Sequence, residues 1–195
     1  MTRDTRHDTS NDPRSEHLRR LLTSFQPADA REREHRARMQ HLLEATAAPF
    51  SRAQYAPGHI TASAFVLDPA GTSVLLILHS KLKCWLQPGG HVEAEDADVL
   101  QSVRREVLEE VGVAELTQIG GLLDLDVHDI PARKDQEAHA HFDLRFLFKA
   151  ADRTFHAGSD ATAARWVPIA ELLDAEIPGD ESVLRVARKL AGVRV

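Results

Sequence analysis

The sequence predicts an α+β fold, on three observations. Helical periodicity is confined to blocks near the N-terminus, over residues 98–111 and near the C-terminus. Between these blocks lie apolar and alternating runs of strand character, of which His139–Phe148 is the clearest. The strands and helices do not alternate as regular βαβ units, so a mixed sheet packed between helices is expected rather than a doubly wound parallel one.

Each element has a local reason. Residues 1–11 are polar and aperiodic and read as a disordered tail. Asp12-Pro13 supplies an N-cap followed by proline at the first helical position, and Leu18, Leu21, Leu22 and Phe25 recur at helical spacing until Pro27. Asp29 and Glu32 have capping-box spacing for a second helix whose apolar side is Met39, Leu42 and Leu43. The charged stretch Arg31–Arg38 reads as a solvated helix face. Residues 12–49 therefore form a helical appendage, which covers the following domain or pairs with a second copy in a homodimer, and residues 50–195 form the main domain. Strands are expected over Ile60–Leu67 and Ser73–Leu78, joined by the turn Asp68-Pro69-Ala70-Gly71. A helix over Asp98–Val111 ends at Gly112, and Leu116–Val127 forms one or two strands broken at Gly120-Gly121. His128–Ala138 reads as a polar loop. A short strand at Arg165–Val167 leads into helices at Pro168–Leu173 and Glu181–Leu190.

Composition bounds the function. The chain has 195 residues, 43% of them apolar, enough for a substantial core. No apolar run approaches the length of a membrane span, and the N-terminus lacks the apolar stretch of a secretory signal. The single cysteine, Cys84, fits a reducing compartment, so a cytoplasmic protein is expected. A net charge of −6 argues against bulk nucleic-acid binding. A polyanionic small molecule would then need local cations or a metal ion.

The informative segment runs from Gly89-Gly90-His91 to Gly112-Val113. On a helix, Val99, Val103 and Val107 fall within about 80° of one another and make a buried stripe. Glu106, Glu109 and Glu110 cluster on the adjacent face, within about 100°. Carboxylates at i, i+3 and i+4 repel one another, so a purely structural helix would gain by placing Lys or Arg at one position. Their spacing suits a hard divalent cation, Mg²⁺ or Mn²⁺; the alternative is an acidic solvent-facing patch.

The stretch resembles the Nudix box, G-x5-E-x7-R-E-U-x-E-E-x-G-U, with U a bulky aliphatic residue. Gly90, Arg105, Glu106, Val107, Glu109, Glu110, Gly112 and Val113 match. Asp96 stands where the family has Glu, and eight residues rather than seven separate it from Arg105. The flanking Trp85-Leu86-Gln87-Pro88-Gly89-Gly90-His91-Val92-Glu93 also looks like Nudix sequence. The order of elements extends the likeness to roughly residues 58–192. The resemblance implies a mixed sheet between helices and hydrolysis of a nucleoside diphosphate linked to another moiety, by water attack on a P–O–P bond. It implies that Glu106, Glu109, Glu110 and the Gly89 carbonyl hold the cation, Mg²⁺ or alternatively Mn²⁺. Arg105 would orient the glutamates, and Glu106 or Glu109 would accept the water proton. A non-catalytic Nudix-fold sensor of a nucleotide metabolite is the alternative.

Further residues are candidates for the site. His139, His141, Asp143 and Arg145 share one face of their strand, either a wall of the substrate cleft or a solvent-exposed face. The His-x-His pair suits phosphate contact or hydrogen bonding better than zinc, for want of further spaced ligands. His91 follows the Gly-Gly turn and is expected to line the site. Lys81 and Lys83 stand before the box as phosphate contacts or plain surface lysines. Trp85 stacks on a base or anchors a loop. Asp160, and secondarily Glu137, are candidate extra carboxylates beside ordinary loop readings. No feature identifies which diphosphate is the substrate.

Overall fold

A computed structural model describes residues 12–79, 83–134, 136–156, 158, 161–174 and 181–192, without the side chains of residues 161 and 162. The expected tail of residues 1–11 lies outside the described residues. Helices α1 (Pro13–Ser24) and α2 (Ala30–Ala45) come first. Strands β1 (Gly58–Leu67), β2 (Ser73–His79), β3 (Trp85–Leu86) and β4 (Gly89–His91) lead to helix α3 (Val99–Val111). Then follow β5 (Leu116–Ile130), β6 (His139–Ala150), β7 (Ala161–Pro168), α4 (Ile169–Leu173) and α5 (Glu181–Gly192).

The sheet is mixed. Its main path runs β3-β2-β1-β6-β5, with β4 alongside β1 and β7 alongside β2. β1 is parallel to β6 along its whole length, and the other pairs are antiparallel. One face of the central strands, Ile60, Ala62, Ala64 and Val66 with Phe142, Leu144, Phe146 and Phe148, packs with α1, α2 and the valine stripe of α3. On the other face, Phe65, Leu67 and Leu147 pack with α4 and α5. Along that second face the parallel pair changes character. Its register runs His59 opposite His141, Thr61 opposite Asp143 and Ser63 opposite Arg145 before reaching Phe65 opposite Leu147. Because side chains alternate along a strand, this polar block is written into the odd-numbered positions of both strands.

The helix termini follow the sequence. The Asp12, Asp29 and Asp98 side chains accept backbone N–H bonds from Arg14, Glu32 and Gln101. Gly112 closes α3 with φ of +68°, a left-handed conformation that favours glycine. β5 departs from expectation. Of the one or two strands expected it is one, through Gly120-Gly121, and the departure is that it continues to Ile130 into the segment read as loop. Register shifts between Gln118 and Leu122 and between Leu122 and Asp124 absorb the glycines, and eleven-rung pairing with β6 carries the strand past His128.

Candidate active site

β4 brings a glycine backbone against the carboxylate helix. A Cβ on Gly90 would lie 2.6 Å from Glu106 Oε1, so the Glu106 carboxylate holds its present place only against glycine. The Gly89 N–H donates to Glu110 Oε2 at 2.9 Å. The valine stripe of α3 is buried, and the three glutamates project from the neighbouring face. The Glu106 side chain is 12% exposed and that of Glu109 58%, so the cluster runs from nearly dry to solvated.

Arg105 fixes the group. Its guanidinium donates to both oxygens of Asp96, at 3.1 and 2.8 Å, to Glu106 Oε1 at 2.9 Å and to Glu109 Oε2 at 3.2 Å. It also donates to the carbonyl of His91 at 2.9 Å. The two-point contact with Asp96 sets the plane of the guanidinium. Burial alone would raise the Asp96 pKa, but Arg105 and the Glu93 N–H outweigh it and hold the carboxyl below its ordinary value. Asp96 is thus the partner that orients Arg105. Burial pushes the Glu106 carboxyl up, against the pull of Arg105.

These residues fit a hard divalent cation. Three carboxylates supply oxygen donors, one of them largely desolvated, and Arg105 is itself shared with Asp96, which leaves the cluster a surplus of negative charge.

The expected histidines come together in a second group. β4 turns Gly90 toward α3 and the His91 ring toward the opposite face, where it lies 5.1 Å from His59 and 5.2 Å from His141. His139 lies 5.0 Å from His59 and 5.2 Å from His141, and His128 lies 5.5 Å from His141. Tyr55 lies against His139. Burial, with the neighbouring imidazoles and cations, lowers the pKa of His59, of His91 to about 4 and of His141 to about 2. His128 goes the other way: burial opposes its charge, but Asp126 at 3.0 Å and Asp143 outweigh burial and raise its pKa.

Arg145 is a correction. It is 2% exposed, and its five N–H donors meet Asp143, Asp124, Asp126 and both the carbonyl and hydroxyl of Ser182. The guanidinium is enclosed among these partners, because β5 places two aspartates beside β6 and Ser182 of α5 covers them. Asp143 likewise accepts bonds from Thr61, Ser63 and Gln87. Lys83 is exposed before β3, and the Arg165 guanidinium lies over the Trp85 ring at 4.8 Å, which makes that ring a packing surface. Glu137 is exposed, and its carbonyl is held by His139. Lys81 and Asp160 lie outside the described residues. Sequence reasoning missed His59 and His128, whose proximity to His141 exists only through strand pairing. The one available signal was that His59 falls at an odd position of β1, on the polar side.

The sequence profile of the NUDIX domain matches residues 57–187, two thirds of the chain. The chain belongs to the Nudix family of hydrolases. Solved structures agree on the fold. A Nudix-family hydrolase from Clostridium perfringens is 23% identical, over 69% of this chain and 96% of that one, with a TM-score of 0.54. The MutT protein from Methanosarcina mazei Go1 is 18% identical over 68% and 92%, with a TM-score of 0.53. An Ap4A hydrolase from C. elegans is 18% identical over 68% and 95%, with a TM-score of 0.52. No curated protein matches. In this Nudix chain, among the described residues, no helix is long and apolar enough to cross a membrane.

Proposed function

We propose that this Nudix hydrolase cleaves the P–O–P bond of a nucleoside diphosphate linked to a second moiety, with Mg²⁺ or Mn²⁺ as cofactor. The observation that carries the reading is the α3 cluster: Glu106, Glu109 and Glu110 on one face, the first two clamped by Arg105, Glu110 held by the Gly89 N–H, and Glu106 packed on Gly90. Glu106, Glu109, Glu110 and the Gly89 carbonyl would hold the cation. When bound, it would neutralise phosphate charge and make the attacking water more acidic. Glu106 or Glu109 takes the water proton, and Arg105 keeps those carboxylates in place through the Asp96 contact. The Ap4A hydrolase among the structural neighbours supports a nucleotide-type substrate. One cysteine cannot form an intrachain disulfide, and we place the protein in the reducing cytoplasm.

The test is a panel of nucleoside diphosphate derivatives with and without Mg²⁺, read as release of phosphate-containing products. Turnover that needs Mg²⁺ and is lost in Glu110→Gln is the expected result. Binding without turnover across the panel would replace this reading by the sensor one.

A further inference from the structure

Five of the 11 histidines, His59, His91, His128, His139 and His141, meet on the face of β1 and β6 opposite α3. We infer that His59, His139 and His141 form a binding site for a late divalent transition-metal ion of the Zn²⁺ type, separate from the carboxylate centre on α3.

The backbone builds the site. The parallel register sets His59 beside His141, and the two-residue period of β6 adds His139 to the same face. One ring nitrogen from each of the three lies within 4.8 Å of those of the other two. Nitrogens bound at about 2.0–2.1 Å around a tetrahedral ion stand about 3.3 Å apart, so modest side-chain rotation closes the set.

Two second contacts prepare the rings for this role. His59 Nδ1 pairs with the Gln54 carbonyl at 3.1 Å, and His139 Nδ1 pairs with the Glu137 carbonyl at 2.7 Å. A carbonyl only accepts, so each Nδ1 carries the proton and each Nε2 keeps a lone pair, the arrangement that orients histidine ligands in metal sites. The third observation is an orphan. His59 is 1% exposed, and its Nε2 has no hydrogen-bond partner. Among the described residues only one other buried side-chain polar atom, Gln87 Oε1, lacks a partner, and a cation at this place would meet the His59 lone pair.

The chemistry of the donors selects the ion. Imidazole nitrogen suits Zn²⁺, Co²⁺, Ni²⁺ or Cu²⁺, whereas Mg²⁺ prefers the carboxylate oxygens of α3. Three protein ligands leave a fourth position for water or an anion. His91 forms part of the wall, and its carbonyl is held by Arg105, so the two centres share β4.

The full chain is stripped with a chelator and then dialysed against Zn²⁺ in excess Mg²⁺, with retained metal measured by atomic emission. One Zn²⁺ per chain is expected. His141→Gln and His139→Gln, checked for folding by circular dichroism, should weaken retention by more than about 100-fold, beyond the loss typical of an outer partner. Glu110→Gln should retain the ion. In the unmodified chain, the imidazole Hε1 resonances of His59, His139 and His141 should shift on Zn²⁺ addition, a readout that stands even if a variant misfolds. No Zn²⁺ retained in excess Mg²⁺, unmoved resonances, or loss in Glu110→Gln with retention in the histidine variants would overturn the site.

Discussion

Gly90 sets the distance between a strand and a carboxylate. A methyl group there would collide with the Glu106 carboxylate at 2.6 Å, and Glu106 is the element that must yield because β4 is held in its ladder with β1. Gly90→Ala should therefore move Glu106 by about an ångström and lower kcat/KM by about 100-fold or more while the chain stays folded. Steady-state kinetics beside a far-ultraviolet dichroism spectrum checks it; unchanged kinetics would mean that Glu106 takes no part. Asp96 acts one step further out. Asp96→Asn keeps the shape but removes the charge that orients Arg105, and should weaken Mg²⁺ about 10–100-fold, with kcat largely recovered at saturating Mg²⁺. A Mg²⁺ titration of turnover distinguishes this from direct ligation, in which saturating metal does not restore kcat. The glutamates were legible because helical period alone puts them on one face. Their Arg105 clamp also followed from the box. His59 was not legible, because its neighbours His139 and His141 are about 80 residues away and only the parallel register of β1 and β6 brings them to it.

At the scale of elements, β5, β6 and α5 are joined by buried charge rather than apolar contact alone. Asp124 is fully buried and meets Arg185 at 2.5 Å, Lys189 at 2.7 Å and Arg145 at 3.5 Å. Asp126 adds contacts to Arg185 and Arg145. Asp124→Ala would strand these cations in the interior and should destabilise the fold by about 3–5 kcal/mol. Chemical denaturation measures it, and a loss near zero would show that water relieves the network. The same pairs give a pH dependence. Burial alone would raise both carboxyls, but the surrounding cations hold Asp124 below its ordinary value of 3.8, and His128 together with Arg145 holds Asp126 below it. The unfolded chain then binds more protons than the folded one in acid, so this contribution is present above the ordinary value and is lost progressively as pH falls below it, down through the depressed folded values. Unfolding midpoints from about pH 5 to about pH 3 should fall steeply, and less steeply in Asp124→Asn. These elements were only half legible. The alternation of β6 showed a polar face but not its cover, so Arg145 read as a substrate contact. The Gly120-Gly121 pair left one strand or two open, and bulges accommodate it within a single strand.

For the molecule as a whole, the N-terminal helices decide whether the sheet has a complete core. The profile match begins at residue 57, yet α1 and α2 share the hydrophobic cluster of β1, β6 and α3. Leu18, Leu22, Met39 and Leu42 are fully buried in it. At about 1.5–3 kcal/mol for each fully buried aliphatic side chain, these four contribute about 6–12 kcal/mol. That is comparable to the entire net stability of an ordinary domain, about 5–15 kcal/mol. Polar contacts bind the same helices to distant elements. Glu32 of α2 pairs with Lys189 of α5, His35 Nδ1 pairs with the Leu125 carbonyl, and Arg14 donates to the Glu93 carbonyl in the loop before α3. Beginning the chain at Pro49 should thus leave the sheet face bare and the Lys189 end of the charge network unpaired on one side. The expected outcome is a large fall in melting temperature, or insolubility, although every α3 carboxylate is still present. Any fraction that stays folded should keep its Mg²⁺ requirement, because Glu106, Glu109, Glu110, Arg105 and Asp96 all lie after the cut. A truncated chain that melts at the temperature of the full one would show that α1 and α2 rest on a core already closed without them.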